Sequence, residues 1–136
     1  MDHLVFVYGT LKRGERNFDR MAGARFIGTA TTRDATFTLR EYDSVSRPGR
    51  LVPDVSTGGT HRIAGELFEV GDDLLAALDL FERVGVDYER QTVALADGQL
   101  AQMYLHSPNS ARPARPALSL ARVEGDVVSW SEAPKS

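Results

Sequence analysis

Leu4-Val5-Phe6-Val7-Tyr8-Gly9-Thr10-Leu11-Lys12-Arg13-Gly14 opens the chain with an apolar run that stops abruptly at a glycine. Leu4 to Tyr8 are aliphatic or aromatic with no polar residue on either face, which predicts a strand buried on both sides. Gly9 and Gly14 bracket a polar segment, so the chain should leave that strand as a loop. The spacing excludes a Walker phosphate loop and a Gly-x-Gly-x-x-Gly dinucleotide turn. A glycine loop leaving a buried strand can still aim successive backbone N–H groups at a small anion such as a carboxylate. On spacing alone an ordinary strand-to-loop turn is the simpler reading.

Working outward, Arg25 to Thr32 and Ala35 to Arg40 are rich in threonine and aromatics and read as two strands, joined as a hairpin through Arg33-Asp34. Pro48-Gly49 and Ser56-Thr57-Gly58-Gly59-Thr60 are turn clusters, leaving Arg50-Leu51-Val52 as a short extended piece. Arg62 to Val70 alternates and predicts a further strand. Next comes the clearest helix, capped by Gly71 or Asp72, with Asp72 and Asp73 at its positive end and Leu74, Leu75, Leu78 and Phe81 as its apolar stripe. It should stop near Gly85. Gln91 to Leu95 and Gln99 to Leu105 flank Asp97-Gly98 as a hairpin. Pro108, Pro113 and Pro116 then interrupt any regular pattern, so 106–120 reads as a loop or flap. Gly125 to Trp130 reads as a last strand or a helix-flanking segment, and 131–136 as a frayed tail. The whole is one α+β domain spanning 1–136.

Composition narrows the chemistry. The chain has 136 residues, 42% hydrophobic and 26% charged, with 16 Lys plus Arg against 19 Asp plus Glu for a net charge of −3. That balance describes a soluble globular domain and gives no electrostatic footprint for nucleic acid. With no cysteine, disulfide scaffolds, thiolate zinc sites and cysteine nucleophiles are excluded. Met1-Asp2-His3 runs straight into the first strand without a charged leader, and there is no spanning run of about 18 apolar residues, so a cytoplasmic protein without membrane contact is expected. His3, His61 and His106 are too scattered to suggest a metal site, and no Gly-x-Ser-x-Gly elbow is present.

Glu82, in Leu78-Asp79-Leu80-Phe81-Glu82-Arg83, falls at the end of the predicted helix. Unpaired carbonyls there disfavour an anion, so its pKa should rise. Asp79 would push the same way and adjacent Arg83 would oppose it. A solvated helix face is the commoner fate of such residues, and both readings stay open on spacing alone. Tyr8, Tyr42, Tyr88 and Tyr104 could line a pocket, although most buried tyrosines simply pack.

Phe6-Val7-Tyr8-Gly9-Thr10-Leu11-Lys12-Arg13-Gly14 closely resembles the opening motif of the gamma-glutamylcyclotransferase-like family, the AIG2-like superfamily that includes the gamma-glutamylamine cyclotransferases. Arg47 to Pro53, Ala64 to Val70, Leu78 to Glu82 and Tyr88-Glu89-Arg90 resemble its later blocks in order, and Gly125-Asp126 its closing turn. The resemblance implies a small mixed β-barrel with flanking helices and a pocket at the first loop. It further implies substrate binding by Tyr8, Gly9, Thr10 and Leu11, with Tyr88 as a further contact, and Glu82 as the acid/base. The implied reaction needs no cofactor: the α-amine of a gamma-glutamyl substrate attacks its own γ-carbonyl, releasing 5-oxoproline and an amine or amino acid. Glu15-Arg16-Asn17-Phe18 departs from the gamma-glutamylamine-specific branch, which tends to carry a histidine after the asparagine. A non-catalytic binding module, or deprotection of a gamma-glutamylated intermediate, are the rival readings.

Overall fold

The computed structural model describes residues 2–44, 49–110 and 112–132. The predicted turn at Pro48, the Arg47-Pro48 start of the second family block and residues 133–136 of the expected frayed tail lie outside them. The described elements are β1 (His3–Val7), a 3-10 turn (Phe18–Met21), β2 (Arg25–Thr31), β3 (Phe37–Asp43), β4 (Leu51–Thr57), β5 (Arg62–Val70), α1 (Asp72–Phe81), β6 (Tyr88–Ala94), β7 (Leu100–His106), β8 (Ala121–Glu124) and β9 (Val127–Trp130). No helix among the described residues is long and apolar enough to cross a membrane.

β1 lies inside the main sheet, whose order is β6-β7-β1-β5-β9-β8 with β2 also paired to β5. It runs antiparallel to β5, with Phe6 opposite Leu67, and parallel to β7, with Phe6 opposite Met103. The uninterrupted apolar run is explained by this position, because both faces of β1 are covered. Val5 and Val7 face α1 in a cluster with Phe68, Val70, Leu75 and Leu78. Phe6 and Tyr8 point the other way, among Phe37, Val55, Ile63, Leu67, Met103 and Trp130. Gly65 on β5 makes the pairing possible, since a Cβ there would fall 2.3 Å from the carbonyl oxygen of Val7.

Three expectations are corrected. The strands do not close into a barrel: among the described residues β2 and β6 are joined only through a single isolated bridge, Thr32 to Leu95, rather than a ladder. The hairpin proposed across Arg33-Asp34 does not form. β2 instead pairs antiparallel with β5, and β3 leaves the main sheet to pair with β4. The extended piece at Arg50 to Val52 is the beginning of a seven-residue strand that runs through Pro53 and Asp54 to Thr57, with Pro53 opposite Glu41. Pro53 is tolerated because a two-stranded ribbon has free edges that need no N–H donor.

The helix forms as predicted. Gly71 is its extended N-cap, Asp72 and Asp73 occupy the first turn, and Leu75 and Leu78 are buried. The Asp97-Gly98 turn joins β6 to β7 in antiparallel register, Tyr88 opposite His106 at the far end. Gly125 to Trp130 contributes β9, paired with β8. His106, the first residue of the expected loop, instead ends β7, and the described residues of 107–120 carry no regular strand or helix beyond the isolated bridge between Ala114 and Tyr42.

Candidate active site

A pocket of about 260 Å³ opens where β1 gives way to its loop. Its walls include Tyr8, Gly9, Thr10 and Leu11 from that loop, Glu82 and Arg83 from the end of α1, Tyr88 from β6, and Arg112 from the segment after β7. Glu82, Tyr8, Gly9, Thr10, Leu11 and Tyr88 therefore line one cavity, as does Tyr104, whereas Tyr42, also weighed as a pocket residue, does not.

The first loop is folded by its own carbonyls: Lys12 N–H donates to Gly9 O at 3.1 Å, and Asn17 N–H to Thr10 O at 2.9 Å. The Asn17 amide also donates to the Thr10 hydroxyl at 3.0 Å. The N–H groups of Gly9, Thr10 and Leu11 donate to no protein group among the described residues. That leaves main-chain donors for an anion at the pocket floor. Gly9 is required for a steric reason, because a Cβ would lie 2.5 Å from Pro53 Cγ on β4. Leu11 is only 4% exposed and joins the cluster against α1. The Tyr8 hydroxyl is already engaged, donating to the Tyr104 carbonyl at 2.7 Å and accepting from Val55 N–H at 3.2 Å. What these residues present to the cavity is thus main chain and ring surface.

Glu82 is the C-cap of α1, and its N–H donates to Leu78 O. Arg83 follows in the left-handed region at φ 53°. Arg83 N–H bonds Leu80 O and Val84 N–H bonds Asp79 O, the paired bonds of a Schellman ending with arginine where glycine is usual. The Glu82 side chain is half-buried because it lines the pocket. Burial pushes its carboxyl up to about 8, the nearby Asp54 charge adds to the rise, Arg112 opposes it and Asp87 adds a smaller push. The upward direction was readable from the sequence; its expected agents were not the ones at work. Asp79 is held by Arg90 at 2.9 Å and by the Tyr104 hydroxyl at 2.7 Å, and Arg83 pairs with Asp87 at 3.7 Å. Neither is among the charges that shift Glu82.

Sequence reasoning missed Asp54 and Arg112. The Asp54 side chain is fully buried and accepts from the Tyr88 hydroxyl on Oδ1. Its Oδ2 accepts Arg112 Nη2 at 2.7 Å and lies 2.7 Å from His106 Nδ1. Tyr42 stacks on His106 with ring centres 4.7 Å apart. The Arg112 guanidinium stands 5.3 Å from the Tyr42 ring centre and 5.4 Å from that of Tyr88. Burial, then the Asp54 and Glu82 charges, raise the Tyr88 hydroxyl well above its ordinary value, so it stays a donor. Pro53 and Asp54 itself, poor strand formers, interrupt the pattern that would have marked the strand carrying it.

The chain matches the family model described as "Gamma-glutamyl cyclotransferase, AIG2-like" over residues 5–128. It is 35% identical over 106 residues to a putative gamma-glutamylcyclotransferase of Vibrio cholerae, covering 78% of this chain and 84% of that one. A Bos taurus protein named gamma-glutamylaminecyclotransferase is 35% identical over 94 residues, 68% of this chain and 55% of that relative. Among solved structures, an AIG2-like protein from Mus musculus shares the fold with a TM-score of 0.67 at 24% identity, over 87% of this chain and 88% of the other.

Proposed function

The chain belongs to the gamma-glutamyl cyclotransferase, AIG2-like family, and from that premise we propose that it cyclises a gamma-glutamyl substrate to 5-oxoproline with Glu82 as the acid/base. One observation carries the reading: Glu82 and the Tyr8-Gly9-Thr10-Leu11 loop line one pocket. The Gly9 to Leu11 N–H groups receive the glutamyl carboxylate or the oxygen of the attacked carbonyl, and the Tyr88 ring bounds the same cavity.

The substrate's α-ammonium must lose a proton before its nitrogen can attack. That amine sits beside a free α-carboxylate, which keeps it more basic than a chain-terminal amine; with Glu82 held at about 8 rather than 4.5, the carboxyl stands far closer to it than an ordinary glutamate would, so the transfer costs little. The freed amine forms a bond to the γ-carbonyl carbon, closing a five-membered ring through a tetrahedral intermediate. Glu82 gives that proton to the departing nitrogen as the original amide bond breaks, and the carboxylate so regenerated takes the second proton from the ring nitrogen, leaving neutral 5-oxoproline and the free amine; that last proton passes to the amine or to solvent as Glu82 returns to its starting state. No co-reactant is consumed. Nucleophile and electrophile share one molecule, so holding it folded removes an entropic barrier on the order of 7 kcal/mol or more.

Glu82→Gln keeps the shape of the pocket but cannot take the proton. Assayed by mass spectrometry against gamma-glutamyl dipeptides and gamma-glutamylamines, the wild-type chain should release 5-oxoproline. The variant should be slowed by about a hundredfold or more while still binding substrate. Wild-type turnover by Glu82→Gln would sink the assignment.

A further inference from the structure

The described residues hold two fully buried carboxylates on the β3–β4 ribbon, Glu41 and Asp54, and they differ in what they bind. Glu41 accepts from the main-chain N–H groups of Ser119, Leu120 and Ala121, the Ser119 hydroxyl and Trp130 Nε1. None of those residues lines the pocket. Asp54 accepts from side chains alone among the bonds described, and two of its three partners, Tyr88 and Arg112, are pocket walls. Resting on the cyclotransferase reading above, we propose that Asp54 is a positioning residue of this reaction, a single buried carboxylate that ties Tyr88, His106 and Arg112 together from three segments of the chain and so holds Tyr88 and Arg112 in the pocket wall beside Glu82.

The arrangement does what apolar packing could not. A hydrophobic residue at this place would fill space at lower desolvation cost, but would leave a tyrosine hydroxyl and a guanidinium without a shared anchor. Bonding to both carboxylate oxygens fixes the Tyr88 ring and the Arg112 plane relative to β4, and therefore relative to Gly9, which packs on Pro53 of the same strand. The anchor also sets a field. Among the described residues, the titratable or charged groups that act on Glu82 or share its cavity are Tyr8 and Arg16 from the first loop, Asp54 from β4, Arg83 and Asp87 from the turn after α1, Tyr88 from β6, Tyr104 from β7, and Arg112. Of these charges Asp54 raises the Glu82 carboxyl most and Arg112 lowers it. Removing either should move Glu82 in opposite directions, a result that loss of packing alone does not produce.

The test follows the Glu82 carboxyl directly, by carbon NMR of the chain labelled at glutamate side-chain carboxyls, with the signal identified by its loss in Glu82→Gln. Asp54→Asn keeps the shape of the anchor and removes its charge, and should lower the Glu82 midpoint by about one pH unit or more. The rising limb of kcat/KM should shift with it. Arg112→Gln should raise the midpoint. If Asp54→Asn alone does not fold, the double variant with Arg112→Gln removes both charges together, and its midpoint should fall below that of Arg112→Gln. A folded Asp54→Asn with an unmoved Glu82 midpoint, or a double variant whose midpoint equals that of Arg112→Gln, overturns the role of Asp54. Because the midpoint is read without turnover, a wild-type chain that forms no 5-oxoproline overturns the cyclotransferase reading separately.

Discussion

Glu82 is held at about 8 in the folded chain against an ordinary value of 4.5. Between those two values the folded state keeps a proton that the unfolded chain has released, so rising pH favours unfolding. The stability linked to this group is whole below about 4.5 and is lost as pH climbs through about 8, a change of order a few kcal/mol. Glu82→Gln cannot ionise and should escape that loss. Thermal melts at pH 5 and pH 9 check this: the wild-type Tm should drop further between the two than that of the variant. Equal drops would place the carboxyl in water. The upward shift was legible from a carboxylate at a helix end, but its agents were not. Asp79 is a sequence neighbour committed to Arg90, whereas Asp54 stands 28 positions away and acts through space.

The helix ending that presents Glu82 is built at some cost. Arg83 occupies the left-handed position of the Schellman turn at φ 53°, where a side chain loses about 1–2 kcal/mol relative to glycine. Arg83→Gly should therefore raise stability by about 1 kcal/mol, a few degrees in Tm for a chain of this length. Loss of its exposed pair with Asp87 takes back little. A denaturant midpoint that falls instead would show that the arginine side chain holds the turn. Periodicity located this helix and its N-cap, because burial of Leu75 and Leu78 against β1 and β5 repeats at helical spacing. Its stop was expected near Gly85, but the chain turns at Arg83, which no rule of residue preference selects. β4 was illegible for a related reason. Pro53 and Asp54 are poor strand formers, and only pairing with Glu41 and Arg40 across the ribbon keeps them extended.

The architecture joins a sheet read largely from local patterns to a ribbon that depends on distant partners. β1, β5 and the β6–β7 hairpin each carry their own signal, whereas β4 and the described residues of 107–120 are held by partners distant in sequence, the buried carboxylates Asp54 and Glu41 among them. Glu41 is the larger structural anchor, with three main-chain donors, a hydroxyl and the Trp130 indole converging on one carboxylate. Glu41→Gln turns an amide NH₂ toward N–H groups that need an acceptor. It should cost about 2–4 kcal/mol, since buried donors are left unsatisfied; urea unfolding measures it, and an unchanged midpoint would mean that water replaces the lost bonds. A grip made chiefly on peptide groups is indifferent to the letters it holds. Substitutions at Leu120 or Ala121 that respect the backbone path can accumulate there, while Glu41 itself has almost no latitude, so the least regular stretch of the chain is fastened by one of its least replaceable residues.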